Sequence, residues 1–261
     1  GILVFDLPIN NHRYGSSVRV FNNKVHDNNT LNFANASSNP AGVHIVPPGT
    51  GVIILSTDNV EVFNNEITNH DTLGLTVTSF FIAEPDISSF VGNYGQPGQA
   101  ISDGWRPTPR NIHIHDNLIT EYGSKPKGYL IDDIIKAYVL THGKLPGILY
   151  DGLGEALSNN GTAAYLGLQE LPFATDGSDN VCITNNGDVS VGRLFANSNS
   201  DMNIPDTLYQ APQTDLLACS QVSLPVHTVT FGDEIFGCGV DDDTAGCDGG
   251  TLVGGGGSIG E

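Results

Sequence analysis

Two histidines could carry metal chemistry in a stretch that reads I-H-I-H. Because side chains alternate along a strand, His113 and His115 would share one face, and Asp116 follows directly. Two imidazoles with a nearby carboxylate can chelate a transition metal. The alternative is an outward strand surface on which the two rings lie in columns with Glu61 and Phe63 of a neighbouring repeat. The sequence favours this second interpretation.

A group of cationic and aromatic residues could hold a sugar. Arg106 and Arg110 flank a Pro-x-Pro stretch and lie near the only tryptophan, Trp105, and Asp103. An aromatic plane beside guanidinium groups can contact a sugar ring and pair with its carboxylate. In a chain with a net charge of −19, an acidic sugar needs such a local positive site. A tryptophan in a loop can equally be a plug over the core.

Three residues are candidates for a general acid or base. His44 and His70 lie in or beside predicted turns, and Tyr150 ends the strand in ILYDG. In a polysaccharide lyase or epimerase, such a base would lie within hydrogen-bond reach of a sugar C5 proton. An Asp-Gly pair after a strand, as at Asp151, is more often a turn. No second carboxylate has a position that the sequence fixes, so a hydrolase with two catalytic acids is not supported.

An acidic run near the C-terminal end is a candidate calcium site. Asp241, Asp242 and Asp243 lie between Cys238 and Cys247, and a disulfide there would constrain the acidic loop. Carboxylate oxygens are the ligands that Ca²⁺ prefers, but the alternating ligand order of an EF-hand is absent. A solvated loop is the preferred interpretation, and Ca²⁺ is the expected ion if one is bound.

The four cysteines indicate an oxidising compartment. None lies in a CxxC or CxxCH motif, so neither a zinc knuckle nor covalently attached haem is expected. An even number fits two disulfides in an exported protein, with Cys238 paired to Cys247 and Cys182 paired to Cys219. We therefore predict a secreted protein, either extracellular or periplasmic.

The charge excludes two classes of partner. A net charge of −19, with only 10 lysines and arginines, argues against nucleic acid and anionic membranes, which require clustered cations. No apolar run reaches 18 residues, so no membrane span is predicted.

A repeat would position all of these residues. Val60–Ile67 reads VEVFNNEI, and related stretches begin at Val18, Ile112 and Val181. Alternation places the valines on one face of a short strand, and paired asparagines follow where the chain turns. Apolar strands led by glycine begin at residues 51 and 74, and 74 − 51 gives a 23-residue unit. That length is typical of one coil of a parallel β-helix.

Stacked coils would align equivalent residues in columns. Both asparagines of each pair are expected to stack in an inward turn, namely Asn22, Asn64 and Asn185, and Asn23, Asn65, Asn117 and Asn186. Outward columns would place Arg19 over Glu61, Lys24 over Glu66 and Phe21 over Phe63.

Longer coils indicate where a binding face would lie. The turn before the repeat strand is enlarged at residues 6–17, 78–111 and 152–180, and the turn after it at residues 26–50 and 120–146. Insertions at fixed turns of a solenoid often build a binding face, although they can simply cover the sheet. Within the last of them, YLIDDIIKAYVLTHG predicts one short helix on the flank, with Gly143 as its stop.

The predicted fold is thus all-β, a parallel β-helix with loop insertions and one short flanking helix; its right hand is implied by the resemblance described next. Its coils with insertions occupy residues 1–200, a disulfide-bonded extension residues 201–250, and a glycine-rich tail residues 251–261.

Several stretches together resemble one known family. They are GILVFDLP, NFA at 32–34, PPGTGV at 47–52, DNVEVFNNEI, LPGILYDG and VCITNN. Over residues 1–186 the chain resembles the exported bacterial proteins that contain parallel β-helix repeats. The resemblance implies a right-handed fold and a leader peptide, with GILVFDLP internal to the solenoid and its first coil in need of a cover. It also implies a cytochrome-like exported protein as a genomic neighbour, and it transfers no catalytic residues.

Two functions follow as expectations. The first is a secreted β-helix that binds or processes polysaccharide, with lyase-like or epimerase-like chemistry if it is catalytic. This rests on analogy with other β-helices. The second is a non-catalytic extracellular scaffold whose open N-terminal edge pairs with further coils, another copy or an exported partner.

Overall fold

The computed structural model describes residues 1–7, 17–34, 43–82, 105–128, 131–154, 180–194, 209–212, 224, 228–231 and 234–237. The chain divides into two compact units, Gly1–Gln221 and Val222–Glu261. The three-part division made from the sequence stays a prediction, because most of its boundaries fall outside the residues just given.

Fifteen short strands account for most of the regular structure. In chain order they are β1 (Ile2–Phe5), β2 (Val18–Phe21), β3 (Lys24–His26), β4 (Thr50–Leu55), β5 (Asp58–Phe63), β6 (Glu66–His70), β7 (Leu73–Thr78), β8 (Arg110–His115), β9 (Leu118–Tyr122), β10 (Ile148–Tyr150), β11 (Val181–Thr184), β12 (Ser190–Arg193), β13 (Tyr209–Pro212), β14 (Thr228–Phe231) and β15 (Glu234–Gly237). Two 3₁₀ turns, Val43–Ile45 and Phe80–Ile82, and one helix, α1 (Asp132–His142), complete the described elements.

The first unit contains three sheets that the chain visits in turn. Sheet 1 has the order β1-β4-β7-β10-β12-β13, sheet 2 the order β2-β5-β8-β11, and sheet 3 the order β3-β6-β9. All neighbours within these sheets are parallel except β12 and β13, which are antiparallel. The predicted β-rich fold is confirmed: it consists mainly of parallel sheets, with one helix among the described residues. In the second unit, β14 and β15 form an antiparallel pair.

The inward residues of the three sheets form a single apolar core. Val18 pairs with Val60, Val60 with Ile112, and Ile112 with Val181, which confirms the predicted column of the repeat. Strands from the other two sheets contribute Val, Ile, Leu and Tyr side chains to the same cluster. The alternation of apolar and polar residues therefore sorts side chains between the core and the outer surface.

An asparagine ladder closes the turn between sheets 2 and 3. Asn23 Nδ2 donates to Asn65 Oδ1 at 2.9 Å, and Asn65 Nδ2 donates to Asn117 Oδ1 at 2.9 Å. Asn117 Nδ2 donates to Asn186 Oδ1 at 2.8 Å. Each amide also bonds to backbone groups, so buried polar atoms of the turn are paired from one repeat to the next. The predicted stack of the second asparagine is confirmed.

The first asparagine of each pair behaves differently. Asn22, Asn64 and Asn185 are exposed and have φ values of 55°, 53° and 61°. The prediction that they also stack inward is wrong, because the chain needs one left-handed residue to turn the corner, and this points the side chain outward. Asp116 holds the same corner in the third repeat, with φ 53°.

Two more columns of left-handed residues mark the other corners. Asn59, Asn111 and Asn180 precede the repeat strand, with φ values of 56°, 53° and 48°. Asp27, Asn69 and Glu121 form the column on sheet 3, with φ values of 55°, 58° and 54°. Short polar side chains tolerate this conformation better than other residues with a Cβ atom, which explains the high asparagine content.

The helix covers the outer side of sheet 1. Helix α1 ends at Gly143, whose φ is 78° and whose N–H donates to Val139 O, as the sequence predicted. Ile135 and Tyr138 are buried against Leu149, which alternates along β10 with core residues and therefore faces outward. The predicted position of the helix on the flank is confirmed.

Candidate functional site

The outer side of sheet 2 carries the most concentrated polar chemistry in the described part of the chain. Glu61 on β5 pairs in register with His113 on β8, and Phe63 pairs with His115. These are the columns that the sequence predicted. The face is not exposed, however: Glu61 retains 2% and His113 8% of its accessible surface. Buried ionisable groups need specific partners, so their contacts decide what the site can do.

Three of these side chains could hold a metal ion. Glu61, His113 and His115, which we call the triad, each offer one ligand atom, and these atoms all lie within 4.8 Å of one another. Glu61 Oε1 and His115 Nε2 are 3.1 Å apart. Among the described residues, these are the three histidine, cysteine or acidic side chains whose ligand atoms lie this close together.

Neighbouring residues fix the orientation of the triad. His115 Nδ1 lies 2.7 Å from Asp116 Oδ2, and Asn185 Nδ2 donates to Asp116 Oδ1 at 2.7 Å. Arg19 Nε donates to Glu61 Oε2 at 3.0 Å, which leaves Glu61 Oε1 facing His115. Glu61 and Asp116 therefore each have one carboxylate oxygen bonded to a residue of a neighbouring repeat and the other directed at the His115 imidazole.

Ring stacking restricts the two imidazoles further. The His115 ring is parallel to that of Phe63, with centroids 5.2 Å apart and an interplanar angle of 2°. Phe21 continues the stack on Phe63 at 5.1 Å, as the sequence predicted. The His113 and His115 centroids are 4.0 Å apart. Both rings therefore belong to a strand, β8, and neighbouring rings fix their orientation.

The two histidines have opposite electrostatic environments. Burial lowers the pKa of His113, and the adjacent His115 lowers it further. Burial alone would lower the pKa of His115, but hydrogen bonds to Glu61 and Asp116 outweigh it, and the net shift is upward. The hydrogen bond from His115 also lowers the pKa of Asp116. His113 is thus favoured as a neutral imidazole, with one nitrogen able to accept a proton or a metal.

The three candidate acid–base residues lie on different elements. Tyr150 is fully buried in the common core, and the Arg193 guanidinium lies 5.4 Å from its ring centre. His70 ends β6 with 1% of its surface accessible, and its Nε2 lies 3.1 Å from Val25 O. His44 lies in the first 3₁₀ turn and is partly buried. The three residues therefore belong to three separate elements, a core strand, the end of a sheet 3 strand and a 3₁₀ turn.

Two of the predicted sugar-binding residues, Trp105 and Arg110, make contacts within the protein. Trp105 is fully buried, its indole N–H donates to Asp6 O at 3.1 Å, and Phe80 packs against its ring edge-on. Its ring has no face open to solvent, as expected for a plug over the core. Arg110 Nη2 donates to Asp58 Oδ2 at 2.8 Å across sheet 2. Arg106 is partly exposed, and Asp103 lies outside the described residues.

The C-terminal predictions cannot be placed. Asp241, Asp242 and Asp243 lie outside the described residues, as do Cys219, Cys238 and Cys247. Cys182 is buried on β11 in register with His113, and it is not a free thiol. Both predicted disulfide pairings therefore stay predictions. No helix among the described residues is long and apolar enough to cross a membrane.

The sequence places all three members of the triad in adjacent columns, but it does not indicate that they are close enough to share an ion. Glu61 was assigned to a charge pair with Arg19, which the structure confirms at 3.0 Å. The register that pairs Glu61 with His113 was the signal that it also faces both imidazoles. Asp116, the carboxylate next to the two histidines, contacts Nδ1 of His115, on the opposite side of the ring from the nitrogen that faces Glu61.

Comparisons with family models, curated proteins and solved structures find no match for this chain.

Proposed function

We propose that the chain is a right-handed parallel β-helix that serves as a non-catalytic, exported scaffold. Successive strands return to the same three sheets: two strands and their turns separate β1, β4, β7 and β10 on sheet 1, and one strand separates β10 from β12. Parallel crossovers are right-handed in nearly all proteins, which supports the hand of the coil. The resemblance to exported β-helix repeat proteins supports the location outside the cytoplasm.

One observation carries the scaffold function: two of the three residues expected to do acid–base chemistry, Tyr150 and His70, are part of the packing. Tyr150 lies in the apolar core, and His70 bonds to a backbone carbonyl of the adjacent coil. A general base must reach the proton that it removes, within hydrogen-bond distance or through one water. Neither side chain can reach a polymer on the surface unless the core opens.

Polysaccharide processing is the alternative, and it makes different demands. A lyase or epimerase would need a base and a positive site on one face, whereas Trp105 is enclosed and Arg110 is paired with Asp58. Polysaccharide binding without turnover is compatible with the scaffold. A partner could then be a glycan or an exported protein.

An assay on uronate polymers separates these functions. The protein is incubated with a panel of such polymers, with and without Ca²⁺, and the products are followed by the absorbance of unsaturated sugars and by a test for C5 inversion. We expect no turnover, whether or not binding is measured. Turnover that disappears in Tyr150→Phe or His70→Asn, while both variants stay folded, would refute the scaffold.

A further inference from the structure

We propose that the triad binds a divalent transition-metal ion of the zinc class. The ligands would be Glu61 Oε1, His115 Nε2 and one ring nitrogen of His113. This site is separate from the scaffold function and does not depend on it.

The geometry of the strands brings the ligands together. Glu61 and His113 are register partners on adjacent strands, and His115 follows two residues later on the same face. Zinc lies about 2.0–2.2 Å from nitrogen and oxygen ligands, so ligands in a tetrahedral shell are about 3.3 Å apart. Glu61 Oε1 and His115 Nε2 already have a separation of 3.1 Å. With all ligand atoms within 4.8 Å, rotation of the His113 side chain can complete the set.

A second layer of residues prepares these atoms for a metal. Metal-bound histidines commonly donate their other N–H to a carboxylate, which fixes the tautomer and the direction of the ring. Asp116 has this relation to His115, and Asn185 in turn holds Asp116. Arg19 occupies the outer oxygen of Glu61. The arrangement holds Glu61 Oε1 and His115 Nε2 next to each other.

An unpaired buried nitrogen of His113 supports a ligand at this site. His113 retains 8% of its surface, and its Nδ1 is buried without a hydrogen-bond partner. Its Nε2 lies 3.5 Å from Thr184 Oγ1, at the limit of a hydrogen bond. Buried polar atoms are rarely left unpaired, and an absent ion is one of the explanations for such an atom.

A purely ionic network is the alternative explanation of the same residues. In it, His115 is protonated and bridges Glu61 and Asp116, with no metal. That network gives hydrogen-bond partners to His115, Glu61 and Asp116, but it leaves Nδ1 of His113 without one. A metal ion satisfies all three members of the triad, and this difference favours the site.

The donor atoms define the class of ion. Two imidazoles and one carboxylate suit Zn²⁺, Co²⁺, Ni²⁺ or Fe²⁺, whereas Ca²⁺ takes six to eight oxygen ligands. The Ca²⁺ expected from the acidic C-terminal run is therefore not the ion expected at the triad.

The test uses Co²⁺ as a coloured probe for the metal-free protein. We expect one Co²⁺ per chain with visible absorption bands typical of nitrogen and oxygen ligands, full displacement by Zn²⁺, and none by millimolar Ca²⁺. His113→Gln and His115→Gln should each weaken Co²⁺ binding by more than the loss seen for Asp116→Asn. For Asp116→Asn the loss should be about 10–100-fold, as for other outer-layer partners.

His26→Gln is the matched control. His26 also pairs through Nδ1 with the following aspartate, Asp27, at 2.7 Å, but it lies on sheet 3 away from the triad. Its Co²⁺ affinity should equal that of the original chain. The histidine variants keep the pair between Arg19 and Glu61, and thermal unfolding checks that they fold. The proposal is overturned if the folded chain binds no Co²⁺, if Ca²⁺ displaces it, or if both histidine variants keep the original affinity.

Discussion

Replacement of Asn65 by alanine should remove most of the support for the turn between sheets 2 and 3. Its Nδ2 donates to Val20 O, Phe63 O and Asn117 Oδ1 at 2.8–2.9 Å. Its Oδ1 accepts from the backbone and side-chain nitrogens of Asn23. The side chain is 2% exposed, so water cannot readily replace these bonds.

The size of the effect follows from these contacts. Asn65 makes five hydrogen bonds, and two of the three from its Nδ2 must share one proton. At a net contribution of about 0.5–1.5 kcal/mol per hydrogen bond, their removal gives a loss of about 3–5 kcal/mol. A folded domain has about 5–15 kcal/mol of stability in total. For a unit of this size, about 2–4 °C per kcal/mol predicts a fall in the melting temperature of roughly 10 °C.

Urea unfolding followed by circular dichroism measures this loss, with Asn64→Gly as the control. Asn64 is the adjacent, exposed asparagine, and its φ of 53° suits glycine. We expect the control to change the free energy of unfolding by less than about 1 kcal/mol. Asn65→Asp should be at least as destabilising as the alanine variant, because a carboxylate accepts but cannot donate to the two carbonyls. Equal stabilities of the Asn65→Ala and Asn64→Gly variants would refute the argument.

Two further predictions concern charge. Lys24→Ala should change the free energy of unfolding by less than about 0.5 kcal/mol, because both partners of the Lys24–Glu66 pair are exposed. Arg19→Ala should cost more, about 3 kcal/mol, because it removes one of the two partners of the buried Glu61 carboxylate and leaves it with His115. A smaller loss for Arg19→Ala than for Lys24→Ala in urea unfolding would contradict this. Burial raises the pKa of Asp151, so the folded state favours its protonated form, and its contribution to stability should fall as the pH rises above about 4. The free energy of unfolding of the original chain, minus that of Asp151→Asn measured over the same pH series, should decrease with pH; a flat difference would show that the carboxyl does not titrate abnormally.

The repeat was predictable because its signal is both local and periodic. The spacing of Val60 and Asn65 gave the inward columns and the ladder, and alternation gave the outward pairs, including Arg19 with Glu61. The helix was predictable because its apolar pairs recur at helical spacing before Gly143.

The site was less predictable because it depends on what covers a strand face. The sequence indicated that His113 shares a face with His115, but it gave no sign that this face is buried. Trp105 was ambiguous for the same reason, since a side chain that caps the core and one that contacts a ligand have the same local sequence. The corner role of Asn64 was missed because side-chain stacking and a left-handed backbone both favour asparagine.

The left-handed corners make each repeat a module for protein engineering. Because single residues turn the chain, a designer who wished to lengthen the stack would need to keep only the corner asparagines, the ladder asparagine and the inward apolar positions. Glu121 is the corner residue in its column without a short polar side chain, although its φ of 54° matches those of Asp27 and Asn69. Asparagine at that position would relieve about 1 kcal/mol of backbone strain. A consensus repeat assembled on these rules would be an insertable unit for stacks of parallel sheets of chosen length.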